Sequence, residues 1–289
     1  MRHLPDLEML DDWIATTEAA VPGLRPQCAK HIVWPTDARV QADVAVVYVH
    51  GFSASPKEIA PVPERLAAAL GAPLFAARLT GHGIDGEAMA RATCADWEAD
   101  VSEALAIGAK LGKRIIVIGC STGCTLLTIA MGQGADVAGA VFVSPNFKMS
   151  SKVVQAMLMA PGVRAWGSYL VGQTRSFPPI SDAHAAHWTN SYPTAALWPM
   201  ADAMRKVYAL DLGRIKVPAF FATCRTDRVV SPTATQKVAA VWGGPVTHLD
   251  VVMGRGDDSN GHVIAGDIMC PGQTDRVANA AIDWARSIL

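Results

Sequence analysis

Apolar residues in this chain fall into short unbroken runs, separated by longer stretches where they recur every three or four positions. Residues 44–49 (VAVVYV) form a β-branched run ending at His50-Gly51, which predicts a buried strand. Residues 58–70 have helical character after two interrupting prolines, and 73–78 read as a short strand ending in Thr80-Gly81-His82-Gly83. Residues 95–111 carry apolar positions at helical spacing. A strand over 114–118, a turn at 119–123 and a helix from 122 to 131 follow. Further strands are expected at 138–143, 217–223 and 246–252, with a closing helix at 272–288. Strands that are apolar throughout, alternating with helices, point to an α/β fold whose mostly parallel sheet is covered on both faces.

Residues 115–131 contain no charge, yet the glycines in their middle divide them, so a buried strand running into a buried helix explains them better than a membrane span. Residues 146–210 break the alternation. They hold Trp166, Trp188 and Trp198 together with Met149, Met157, Met159, Met200 and Met204, and show no convincing strand. They are expected to form a mostly helical insertion, a cap over the strand ends of a core made of 1–145 and 211–289. Six basic residues there (Lys148, Lys152, Arg164, Arg175, Arg205, Lys206) face only Asp182 and Asp202. They suit solvated outer helix faces, or a rim admitting substrates with an anionic end.

The chemistry centres on Gly119-Cys120-Ser121-Thr122-Gly123, between a strand and a helix. A nucleophile on so tight a turn sits in a strained backbone, and glycines two residues away on either side remove the collisions that side chains would make. Ser121 also opens a helix, whose free N–H groups favour developing negative charge. His50-Gly51-Phe52-Ser53 follows an earlier strand, where a loop N–H could supply a second donor to the same charge.

A serine nucleophile needs a base, and the base an orienting acid. Of the histidines after Ser121, His184 and His187 lie in the insertion, and His248 lies inside a predicted strand, its ring expected to face a covering helix. His262 lies in the glycine-containing loop 254–266, able to reach over the serine, and is the candidate base. Asp227 follows strand 217–223 on the same edge of the sheet and is the candidate acid. Asp250 is mid-strand, while Asp257 and Asp258 are expected to shape or solvate the histidine loop.

HGF after a strand, T-GHG, G-C-S-T-G, T-D-R-V-V and N-GH, in this order, resemble the α/β-hydrolase family, and within it bacterial carboxylesterases and monoacylglycerol-lipase-like enzymes. The likeness covers 44–143 and 215–289. It implies an α/β-hydrolase fold and a catalytic triad of Ser121, His262 and Asp227. It also implies oxyanion donors at the backbone N–H of Phe52 and Thr122, and hydrolysis of small to medium apolar or amphipathic esters without a cofactor. Thioester, amide or C–C hydrolysis, acyl transfer, and a non-catalytic binding protein are the alternatives.

Composition narrows the rest. With 51% hydrophobic residues and a formal net charge of -1, the chain is neither disordered nor basic enough to suggest nucleic acid. The N-terminal MRHLPDLEMLDDW lacks an apolar core of export-signal length, so a cytoplasmic place is expected. The six cysteines show no disulfide or zinc spacing and read as small buried residues. His184-x-x-His187 has metal-like spacing without an evident third ligand, so no metal is expected. Arg255-Gly256-Asp257 is taken as a chance match to an adhesion tripeptide.

Overall fold

The computed structural model describes residues 4–289, so the first three residues of the N-terminal stretch read for an export signal lie outside it. Its centre is a seven-stranded sheet. The strands are β1 (His31–Val33), β2 (Ala42–Val49), β3 (Leu74–Ala77), β4 (Gly112–Cys120), β5 (Gly139–Val143), β8 (Ala219–Thr223) and β9 (Val246–Asp250). Between β5 and β8 a separate antiparallel pair is formed by β6 (Thr174–Ser176) and β7 (Ser191–Pro193). The sheet order is β1-β3-β2-β4-β5-β8-β9, parallel except for β1, which runs antiparallel to β3 at one edge.

The unbroken apolar runs have a simple cause. On β2 and β4, Ala45, Val47, Val49, Ile115 and Val117 join one core, while Val44, Val46, Tyr48, Ile116 and Ile118 join the other. Both sets of alternating side chains are buried, so no polar position interrupts the strands. The first core is closed by α1 (Leu10–Ala19), α4 (Cys94–Leu111), α5 (Thr122–Gly132) and α9 (Leu197–Tyr208). The second is closed by α2 (Val62–Ala69) and α11 (Pro271–Ile288). α3 (Gly86–Arg91) precedes α4, and α10 (Pro232–Val241) links β8 to β9. Thr93 and Asp96 form a reciprocal cap that starts α4, and Ser231 caps α10.

Several expectations shift. In 58–70 the helix runs from Val62 to Ala69, beginning at the prolines because Pro61 and Pro63 fit only its start, and residues 58–61 are a turn. The insertion contains α6 (Lys152–Met159), α7 (Val163–Val171) and α8 (Asp182–His187), but also the β6–β7 pair where no strand was expected. α9 packs on α5 and α4 and so belongs to the layer covering the sheet. Three of the six basic residues are paired: Arg164 and Arg205 with Asp202, and Lys206 with Glu98. His248 does not face a covering helix. β9 is the edge strand, and the imidazole is exposed there, stacked on Phe221 at 5.8 Å. All six cysteines are buried and free.

Candidate active site

β4 ends at Cys120 and α5 starts at Thr122, leaving Ser121 alone to turn the chain. Its backbone takes φ 50° and ψ -112°, a region that side chains rarely occupy. The flanking glycines are required by contact. A Cβ on Gly123 would lie 2.1 Å from the Val49 carbonyl oxygen, and one on Gly119 would lie 2.7 Å from the Cys124 nitrogen. Ser121 precedes α5 without capping it through its side chain, so the hydroxyl remains available.

It is used by His262. Ser121 Oγ lies 3.0 Å from His262 Nε2, and His262 Nδ1 lies 2.9 Å from Asp227 Oδ2. The three residues come from three separate strand ends and are all buried. The other oxygen of Asp227 accepts the N–H groups of Val229 at 2.7 Å and Val230 at 2.9 Å, which fixes the carboxylate's plane. Burial alone would depress the His262 imidazole. The adjacent Asp227 carboxylate, with smaller help from Glu58 and Asp258, outweighs burial and lifts it above its ordinary value.

The histidine loop is shaped by Asp258, as expected for that residue. Its carboxylate accepts from the N–H groups of Asn260 at 3.0 Å, His262 at 2.9 Å and Val263 at 3.0 Å. Asp257 likewise accepts from Gly254 N–H and from Gln273. The Arg228 N–H donates to the Asn260 carbonyl at 2.8 Å, tying the acid loop to the histidine loop.

The loop after β2 lies beside Ser121. His50 is buried and neutral, its pKa pushed well down by burial. Its Nε2 accepts the Leu79 N–H at 3.1 Å, so the proton is on Nδ1, which donates to the Gly51 carbonyl at 2.8 Å. That carbonyl and the Phe52 N–H share one trans peptide, so holding the oxygen turns the N–H to the opposite side. Thr122 is the first residue of α5, and its N–H has no acceptor within the helix.

Two participants were not foreseen. Glu58 was not singled out, yet it is buried with its carboxylate on Gly51 and Tyr48. Tyr192 on β7 packs edge-on against Phe52 at 5.1 Å, and the Thr189 N–H donates to the Ser53 carbonyl at 2.8 Å. The insertion is thereby joined to the loop beside the serine. His184 and His187 do not meet on a shared ligand: the first accepts the Ile180 N–H and the second lies against Ser55. Among the described residues, no helix is long and apolar enough to cross a membrane.

The sequence matches the family described as the alpha/beta hydrolase family over residues 46–267. It is 31% identical over 194 residues to a thermostable monoacylglycerol lipase of Bacillus sp. (strain H-257), an alignment spanning 65% of this chain and 72% of that protein. The fold is similar to a solved structure from the metagenome-derived lipolytic enzymes LipS and LipT, with a TM-score of 0.73, 22% identity and coverage of 91% of this chain and 99% of that one. A crystal structure of the Paleococcus ferrophilus monoacylglycerol lipase superposes with a TM-score of 0.64 at 14% identity, covering 90% and 98%. With this match, this sheet order and a serine on the turn after β4, the chain belongs to the alpha/beta hydrolase family, among its lipase- and esterase-like enzymes.

Proposed function

We propose that the protein hydrolyses carboxylic esters through a Ser121–His262–Asp227 triad and an acyl-enzyme intermediate. The observation that carries this is the unbroken hydrogen-bonded line from Ser121 Oγ through His262 to Asp227, with the serine held at positive φ. Ser121 attacks the ester carbonyl while His262 Nε2 takes its proton. Asp227 orients the imidazole and stabilises its charged form. The tetrahedral oxyanion is received by the N–H groups of Phe52 and Thr122. His262 then returns the proton to the leaving alcohol, and water repeats the sequence on the acyl-enzyme. None of these steps requires a cofactor.

The substrates we assign are small to medium apolar or amphipathic esters, such as monoacylglycerols. Two features support this class. One is the likeness to a monoacylglycerol lipase. The other is the apolar surface of the insertion, where Val153, Tyr169, Leu170 and Ile180 are all exposed. Within the insertion, 146–196 is assigned as the cap, with α9 counted to the core. A cytoplasmic place is proposed because all six cysteines are buried and free.

The test is a fluorophosphonate label combined with p-nitrophenyl esters of two to sixteen carbons and a monoacylglycerol. Labelling at Ser121 with turnover of short and medium esters is expected. A folded, unlabelled protein that turns over none of them would overturn the assignment.

A further inference from the structure

Glu58 is a buried carboxyl that the triad does not use. It is 3% exposed and lies in the turn between β2 and α2. Its Oε2 accepts the Gly51 N–H at 2.6 Å and the Tyr48 hydroxyl at 3.2 Å. A Cβ on Gly51 would stand 2.7 Å from Glu58 Oε1 and 3.1 Å from Ser121 Cβ, so carboxylate, glycine and nucleophile are packed directly on one another. The same turn rests on the histidine loop: a Cβ on Gly266 would lie 2.7 Å from the Glu58 carbonyl oxygen, and the Asp267 N–H donates to the Ala60 carbonyl at 2.9 Å.

Gly51 is therefore held through both of its peptides. His50 Nδ1–H takes the carbonyl of the peptide that carries the Phe52 N–H, and Glu58 takes the N–H of the peptide before it. With both planes fixed, the direction of the Phe52 N–H follows. A buried carboxyl is a costly way to secure a turn that an apolar side chain could fill, unless its acceptor oxygens are needed where they stand.

Resting on the assignment of Ser121 as the nucleophile, we propose that Glu58 is a positioning residue for ester hydrolysis: by accepting the Gly51 N–H from within the core, it aims the Phe52 N–H at the oxyanion. Glu58 also faces His262, as Asp227 and Asp258 do; Glu58 itself is faced by Tyr48, Cys120 and His262. Burial pushes the Glu58 carboxyl up, and the Gly51 hydrogen bond draws it back.

The test compares Glu58→Ala with Glu58→Gln on a p-nitrophenyl ester and a fluorophosphonate. Loss of one whole oxyanion donor costs about 10²–10³ in kcat, so a misdirected one in Glu58→Ala is expected to cost about 10-fold to 100-fold, with KM within about twofold. Phosphonylation should slow in parallel. Glu58→Gln keeps an oxygen for the Gly51 N–H and should recover most of kcat. Having lost a negative charge facing His262, it should also move the acid limb of kcat/KM to lower pH. A folded Glu58→Ala with wild-type kcat and labelling rate overturns the proposal, as does a folded Glu58→Gln that loses as much kcat as Glu58→Ala. If Glu58→Ala does not fold, Glu58→Met, which fills the site without accepting the Gly51 N–H, takes its place with the same expected loss. If the wild type is not labelled at Ser121, the nucleophile assignment itself fails. A labelled wild type with an equally fast Glu58→Ala removes only the role of Glu58.

Discussion

His262 Nδ1 meets Asp227 Oδ2 at 2.9 Å, while Asp227 Oδ1 is already committed to the N–H groups of Val229 and Val230. The carboxylate is thus fixed before it meets the imidazole, and it lifts His262 above its ordinary value in spite of burial. A base works only when unprotonated, so kcat/KM should rise with pH as His262 loses its proton, along a limb above that of a free imidazole. In Asp227→Asn that limb should move to lower pH. The rate should fall on the order of 10⁴-fold, since the amide favours the wrong tautomer. A pH–rate profile of the two proteins checks both; an unmoved limb with little loss of rate would remove Asp227 from the site.

Gly123→Ala should be among the most damaging small substitutions in the chain. Its methyl would stand 2.1 Å from the Val49 carbonyl oxygen, forcing apart β2 and the start of α5. Overpacking of this kind costs about 1–3 kcal/mol and at times more. Gly134→Ala is the control: its φ of 95° is strained for alanine, but nothing lies within 4 Å. Thermal melting of both should rank Gly123→Ala clearly lower, with activity lost first in that variant.

Asp258→Ala should lower both stability and rate, although Asp258 does not touch Ser121. It would leave the N–H groups of Asn260, His262 and Val263 without their acceptor. A buried unsatisfied donor costs about 1–3 kcal/mol. Urea melts and kcat are the measurements, and wild-type values for both would show that the loop holds its shape without this carboxylate.

His248→Ala should do almost nothing. The ring is exposed on the edge strand and rests on Phe221. Surface changes of this kind stay within about 0.5 kcal/mol. A folded His248→Ala without turnover would mean that the base had been misassigned.

The strand–helix alternation was legible because β2, β4, β5 and β8 are buried on both faces and leave continuous apolar runs. The candidates Ser121, Asp227 and His262, which the structure brings together, could be picked out because each lies in a loop after a strand, and that loop's glycines or polar residues announce it. β1 and α1 were not singled out: β1 is three residues long, and in α1 only Leu10, Ile14 and Glu18 are buried. The β6–β7 pair escaped because its strands are three residues each, fully exposed on β6 and with only Tyr192 buried on β7. Glu58 escaped for a different reason. Its importance lies in contacts with Tyr48 and Gly51, and nothing in the spacing of charges encodes them.

The packing of Tyr192 on Phe52, together with the Thr189–Ser53 hydrogen bond, has an evolutionary consequence. The β6–β7 hairpin cannot drift independently of the turn beside Ser121. On the proposed role of the insertion as a cap, a graft of this hairpin from a relative would bring a new wall for the acyl chain, but it would also replace the partner of Phe52. Selectivity and turnover are then inherited together, and a transplant that keeps Tyr192 and Thr189 should preserve the rate while the remainder of the graft resets the choice of ester.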